Sequence, residues 1–371
     1  MTDCISRDWS GVERVAGDWQ FCQEALLGVS RSFSQPILLL PEPLKVALTC
    51  GYLLCRVVDT IEDSVQLGQR RRDELFTWFV EVLEGVRSEQ DLADAFSELD
   101  ASLADVRLVQ SLPRVMRVFR TQEEAFQQAT VRWTVEMADG MRVYCHRDRP
   151  GTVNAVYSLA DLERYCYFVA GTVGHLITDL FVQYLRLDPP RELELRRRCE
   201  SFGIGLQMVN ILKDISDDLE RGRCYVPREL CGEHGFEPEQ LLDERHRRRA
   251  QQIVGTLFRK AAQHLDDALE YTLTLPATAS PLRLFCLLPL WMAWETLCVA
   301  VGNDALFVKG VPVKITRDAV ARIVREAMKC AADDTQLRTQ LTEVRGRFFS
   351  KLMPGNQVDE MSHPSGRYVQ V

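Results

Sequence analysis

The chain has 371 residues, 46 % of them hydrophobic, and a formal net charge of −8. That apolar content is ample for a deep core, and the acidic balance argues against nucleic acid as a partner. Basic residues are scattered, apart from ERHRRR at 244–249, which reads as a solvated helix face.

In chain order, residues 8–28 read as a first helix with Trp19, Cys22, Ala25 and Leu26 on one face. SRSF follows, then the proline-bounded connection LLLPEP. Residues 44–63 form a long apolar helix that ends in acids. Helices follow at about 71–86 and 91–108, and 114–146 reads as one long helix because it contains no proline. HRDRPG at 146–151 is a strong turn. A helix at 159–186 is closed by Asp188-Pro189-Pro190, and 191–219 carries a second set of acids. RGRCYVP at 221–227 reads as a loop. Helices at about 238–274, 281–302 and 316–349 complete the chain. No stretch alternates with period 2 beside a hairpin turn, so the class is all-α. No linker, repeat or low-complexity run divides it. The reading is one domain over 1–350 with a polar tail at 351–371.

Two acidic clusters carry the chemistry. Gln207, Asn210, Asp214 and Asp218 fall at helical steps of 3, 4 and 4 and so share a face. Asp59 and Asp63 are i,i+4, with Glu62 between them. Like charges at that spacing destabilise an isolated helix. Carboxylates one turn apart can hold hard divalent cations, and Mg²⁺ takes few carboxylates plus substrate phosphates. Taken singly, either cluster also reads as a solvated helix end. Two of them, each after a long apolar helix, suggest carboxylates facing across a cavity with cations between.

The twelve cysteines include no CxxC pair, and most sit singly in apolar runs, the pattern of small buried residues in a reducing compartment. The six histidines show no HExxH, and His175 reads as a satisfied core histidine. The N-terminus lacks the apolar core of a signal peptide. The most apolar window, 282–302, contains Arg283, Pro289 and Glu295, which favours a buried helix over a membrane span.

Five blocks in order, VSRSF (29–33), CRVVDTIED (55–63), YCYFVAGTVG (165–174), LQMVNILKDISDD (206–218) and LFVKGVPVKI (306–315), resemble the squalene/phytoene synthase family. Its squalene-forming members, and among them the bacterial type, are the most similar. The resemblance implies a single isoprenoid-synthase helical bundle around a central cavity, binding two farnesyl diphosphates. It implies Mg²⁺ at Asp59, Asp63, Asp214 and Asp218, assisted by Glu62 and Asp217, and phosphate contacts from Ser30, Arg31, Ser32, Arg56 and Lys213. Gln207 and Asn210 line the same substrate mouth, and Phe33 helps exclude water. Tyr165 is implied beside the carbocation, and Ala170, Gly171 and Gly174 either leave room for a prenyl chain or allow close helix packing.

The implied reaction is head-to-head condensation to presqualene diphosphate, then NADPH-dependent reduction to squalene, with Lys314 and Arg317 meeting the cofactor or a substrate diphosphate. Lys213 stands where relatives more often carry Arg, Phe168 where many carry Tyr, and RGRCYVP resembles the phytoene-forming version. A dehydrosqualene- or phytoene-type product without NADPH, or release of presqualene diphosphate, is the alternative. A non-catalytic assembly factor of the same fold is another, although such relatives tend to lose the acidic clusters. Eukaryotic members usually carry a C-terminal anchor. The polar C-terminus here implies a cytoplasmic enzyme, with peripheral membrane contact at product release left open.

Overall fold

A computed structural model describes residues 10–30, 32–149 and 151–353. The architecture is all-α, as the sequence implies. Glu42–Asp63 is the central element. Pro43 sits in its first turn, where the missing N–H costs nothing. Fifteen of its side chains are buried, from Leu44 to Glu62. It packs against Ala16–Val29, Glu124–Cys145 and Ala104–Gln110. Pro189–Lys213 lies along Arg247–Thr274 and Thr172–Leu185 in the other half of the bundle.

Several long stretches of unbroken periodicity prove to be two helices. The first helix is interrupted after Ser10–Glu13 and resumes at Ala16–Val29. The 91–108 stretch contains only the end of Glu89–Asp94 and most of Ala104–Gln110. Between them the Asp100 carboxylate accepts from the Ser102 N–H (2.9 Å), and the Ser97 hydroxyl donates to Asp94 O (2.7 Å). Residues 114–146 divide into Leu112–Phe119 and Glu124–Cys145, where the Thr121 hydroxyl takes Val118 O (2.7 Å). Residues 316–349 divide at Asp333, whose carboxylate caps Asp334–Leu352 through the Thr335 and Gln336 N–H groups. That last helix runs two residues past 350. At the last three breaks a short polar side chain bonds the local backbone and competes with the helix.

The YCYFVAG segment is helical but not uniform. Leu159–Cys166 passes into a π-turn, Tyr167–Gly171, before Thr172–Leu185. The glycines around it permit close packing. A Cβ at Gly203 would stand 2.0 Å from Ala170 O, and one at Gly174 would stand 2.0 Å from Cys199 O. The small residues at 170–174 therefore seat Pro189–Lys213 rather than leaving space.

Leu159–Leu185 and Ser280–Ala300 are long and apolar enough to cross a membrane, but 83 % of the latter's apolar window is buried inside the protein. Ser280–Ala300 is a core helix, with the Arg283 guanidinium satisfied by Leu275 O and Asp334. All eleven described cysteines are buried and free. His175 stacks on Trp133 (4.4 Å between centroids) and meets Cys199 Sγ at 3.2 Å.

Candidate active site

The first acidic cluster stands at a helix C-terminal end, with Asp59, Glu62 and Asp63 in the last turns of Glu42–Asp63. The second straddles a helix junction, where Asp214 ends Pro189–Lys213 and Asp217 and Asp218 open Ile215–Glu220. The helix macrodipole disfavours negative charge at a C-terminal end, so the carboxylates of the first cluster are placed against both one another and the backbone. The second cluster does not lie on one straight helix. Asp214 leaves helical geometry (φ −109°, ψ 16°), and Ile215–Glu220 starts a new turn. The interruption breaks the common face expected for Gln207, Asn210, Asp214 and Asp218. The Asp218 N–H still bonds Asp214 O (2.9 Å), so those two acids stay adjacent.

Burial, reinforced by Glu62 and Asp63 and opposed by Arg56, raises Asp59 to about 7. Burial and Asp214 raise Asp218 to about 7. Among the described residues no three acids, histidines or cysteines converge on one point. Each cluster offers a pair of hard oxygen donors, the partial set that suits Mg²⁺ when phosphate oxygens and water complete the shell.

Glu62, expected beside its neighbours as a ligand, has a different partner. Its carboxylate is ion-paired with Arg223, a residue 161 positions away. The Arg72 guanidinium, 4 % exposed, donates to Glu62 O (2.9 Å) and approaches Asp148 (3.3 Å). Asp148 also faces Arg223, at 3.5 Å. This buried network was not singled out in the sequence. Arg223 belongs to RGRCYVP, which is more than a loop. Asn154–Ala155 and Arg223–Cys224 form a two-residue parallel ladder, with the Asn154 N–H donating to Gly222 O (2.8 Å) and Val156 to Cys224 O (3.0 Å). Strand alternation then sends Arg223 and Tyr225 to one side and the buried Cys224 and Val226 to the other. Gly222 makes the approach with φ +76°. The alternation in R-C-Y-V was the available signal, too short to register as a strand.

Tyr165 is 5 % exposed and meets this group. Its ring stacks on Tyr225 at 4.7 Å, the two hydroxyls share a hydrogen bond of 2.9 Å, and Tyr144 abuts edge-on at 5.1 Å. Burial, with the Glu62 carboxylate adding to it, holds the Tyr165 phenol well above its usual range, so it stays protonated.

The other candidates divide. Arg56 makes a forked contact with Asp105 (2.7 and 3.1 Å) and stands 3.5 Å from Asp59, so it is committed to carboxylates. Lys213 pairs directly with Asp214. The buried Ser30 hydroxyl accepts from the Phe33 N–H (3.1 Å), which fixes the turn, while Ser32 is exposed. Phe33 lies 6.1 Å from Tyr52, and Tyr52 feels both Arg56 and Asp59, which brings this block to the first cluster. Arg31 lies outside the described residues. Gln207 is half-buried and Asn210 exposed; Asp217 is half-buried and Asp63 exposed. Lys314 and Arg317 are exposed. Their segment reaches the second cluster through Asp304–Phe307, which packs on Ile215–Glu220, and through Lys309, 3.9 Å from Glu220.

The squalene/phytoene synthase family model matches residues 26–344. The chain is 28 % identical over 314 residues to a squalene synthase of Yarrowia lipolytica, covering 82 % of this chain and 66 % of that protein. It is 28 % identical over 321 residues to squalene synthase 1 of Arabidopsis thaliana, covering 85 % and 72 %. The chain thus spans about two thirds of the length of these curated relatives. A solved structure described as TcSQS in complex with a ligand superposes with a TM-score of 0.75 at 26 % identity, covering 89 % of this chain and 92 % of that one. A dehydrosqualene synthase structure shares the fold, with a TM-score of 0.59 at 17 % identity. With its paired acids, its buried tyrosines and a family match that runs from Leu26 to Val344, this chain belongs to the squalene/phytoene synthase family.

Proposed function

We propose that the chain is a squalene-synthase-type prenyltransferase that joins two farnesyl diphosphates into presqualene diphosphate and reduces that product to squalene. The observation that carries this reading is the pairing of acids at a helix C-terminus and at a helix junction, with a buried, protonated Tyr165–Tyr225 stack joined to the first cluster through Arg223. Asp59, Asp63, Asp214 and Asp218 would hold Mg²⁺, with Asp217 assisting; Glu62 would instead hold Arg223. Bound Mg²⁺ would supply the charge that lets a diphosphate approach these carboxylates and depart with its electron pair.

The residues of the chain do the rest. Burial raises the Glu62 carboxyl, Arg223 opposes that rise, and the same guanidinium steadies the Tyr225 hydroxyl at 3.4 Å. Tyr225 in turn orients Tyr165. Two stacked aromatic rings offer π-faces to an allylic cation. A protonated phenol beside a carboxylate is a poor base, so Tyr165 is assigned to orientation and cation stabilisation ahead of proton removal. Lys314 and Arg317 would meet the phosphates of NADPH, which supplies hydride for the second half-reaction.

Incubating the purified protein with farnesyl diphosphate and Mg²⁺, with and without NADPH, tests the reading. Squalene with NADPH and presqualene diphosphate without it is the expected result. The same hydrocarbon in both tubes would reassign the chain to the dehydrosqualene-forming branch, and no consumption would remove the activity altogether.

A further inference from the structure

The basic run at 244–249 has no role in the acid-lined site, and it borders a separate cavity. About 510 Å³ opens between the first turns of Arg247–Thr274, the turn after Ser280–Ala300 and the last turn of Asp334–Leu352. Its floor is apolar, with Phe258, Leu306 and Phe307 all buried. Its rim carries Arg248, Arg259 and Lys351, and among the described residues no carboxylate lines it.

The partners of those cations are the telling feature. Many arginines of the chain meet acids, as Arg114 and Arg117 do on Asp18. Among the described residues Arg248 has no ion-pair or hydrogen-bond partner, and Arg259 reaches only the Thr256 hydroxyl (3.1 Å). Lys351 donates to Cys298 O (2.8 Å). Arg247 lies over the Phe307 ring at 4.7 Å, and its Nη1 is buried with no hydrogen-bond partner.

The placement is costly as it stands. Arg247, Arg248 and Arg249 occupy the first turn of a 28-residue helix, where the macrodipole disfavours cations. The backbone of that turn is satisfied, since the 3-10 turn Glu244–His246 runs into the helix and Glu244 O accepts from the Arg247 N–H. An anion at the rim would therefore answer the side-chain cations, Arg248 first among them.

We propose that this cavity is a second binding site, separate from the acid clusters, for a small phosphate-bearing ligand. The phosphate sits at Arg248, Arg259 and Lys351, and an apolar portion rests on Phe258 and Phe307. The proposal does not depend on the reaction assigned above.

Calorimetric titration of the full chain with inorganic pyrophosphate in EDTA tests it, because without divalent cations the acid clusters repel that probe. One site is expected for the wild type. The double variant R248Q/R259Q should bind at least about tenfold more weakly, on the scale of charged hydrogen bonds lost, with an unchanged melting temperature. Arg107→Gln/Arg325→Gln, two exposed positions away from the cavity, should bind as the wild type does. Equal binding by R248Q/R259Q, or an equal loss in Arg107→Gln/Arg325→Gln, overturns the assignment. A parallel sedimentation with phosphatidylglycerol and phosphatidylcholine vesicles separates the sources of phosphate. Capture by the anionic vesicles alone, abolished in R248Q/R259Q and with no pyrophosphate heat, assigns the rim to a lipid headgroup. Neither heat nor vesicle capture in the wild type overturns the site.

Discussion

The two acidic clusters look alike in sequence and are built differently. The first is tied to distant parts of the chain: Arg56, one turn before Asp59, also forks onto Asp105, and Glu62 is sealed against Arg223 beside Arg72. The second stands at a helix break with its cations close by in sequence, Lys213 on Asp214 and Arg221 acting on Asp218. In the first cluster one acid of three is sealed inside the fold, while Asp59 and Asp63 keep some exposure. In the second all three acids keep some exposure. Identical spacing thus conceals a division between an acid that holds the fold and acids left at the surface of the site.

The largest expected effect breaks the first cluster from inside. Arg223→Gln leaves the Glu62 carboxylate buried and unpaired, which should cost about 3–5 kcal/mol of stability in chemical denaturation. Glu62→Gln in the same chain should recover much of the loss, because the two residues share one interaction. Additive losses would mean that the pair is not coupled.

Next come the acids left at the surface of the site. Asp59→Asn and Asp214→Asn should each lower turnover of farnesyl diphosphate by roughly 100–1,000-fold, the scale of a lost electrostatic stabiliser, with the far-ultraviolet dichroism of the wild type. A variant that keeps full activity would take its residue out of the cation site, and wild-type activity in excess EDTA would remove the metal itself.

Stability against pH sharpens the comparison further. Asp59 and Asp218 both lie at about 7, raised by burial from the ordinary 3.8. A carboxylate whose folded value is raised favours the folded state when protonated. Its contribution is present at low pH and is lost as pH rises through about 7. Without divalent cations the protein should therefore gain on the order of 1–3 kcal/mol between pH 8 and 5 from these groups. Asp59→Asn and Asp218→Asn should flatten the profile, as should Mg²⁺. Glu62, tied to Arg223, should contribute least to that slope, which melting curves of Glu62→Gln across the same range would show.

The smallest effect concerns Lys213. Paired with Asp214 and partly exposed, it should shift the Michaelis constant by only about 1 kcal/mol when changed to Gln. A much larger change would show that it leaves Asp214 to hold a diphosphate.

Local spacing along the chain determined the helical class, the position of Glu42–Asp63 and both acid pairs, since i,i+4 geometry is set by the backbone alone. The same periodicity is blind to helix breaks at Thr121, Asp214 and Asp333, where a cap or a side-chain hydrogen bond takes over from the ladder. Only the tertiary structure decided that Glu62 meets Arg223, that Arg72 and Asp148 close around them, and that Tyr225 rather than a solvent-facing loop lies on Tyr165. The reason is physical: a buried charge is stable only with a partner. That partner can be supplied from anywhere in the chain that packing brings close, and no local pattern records which residue it will be.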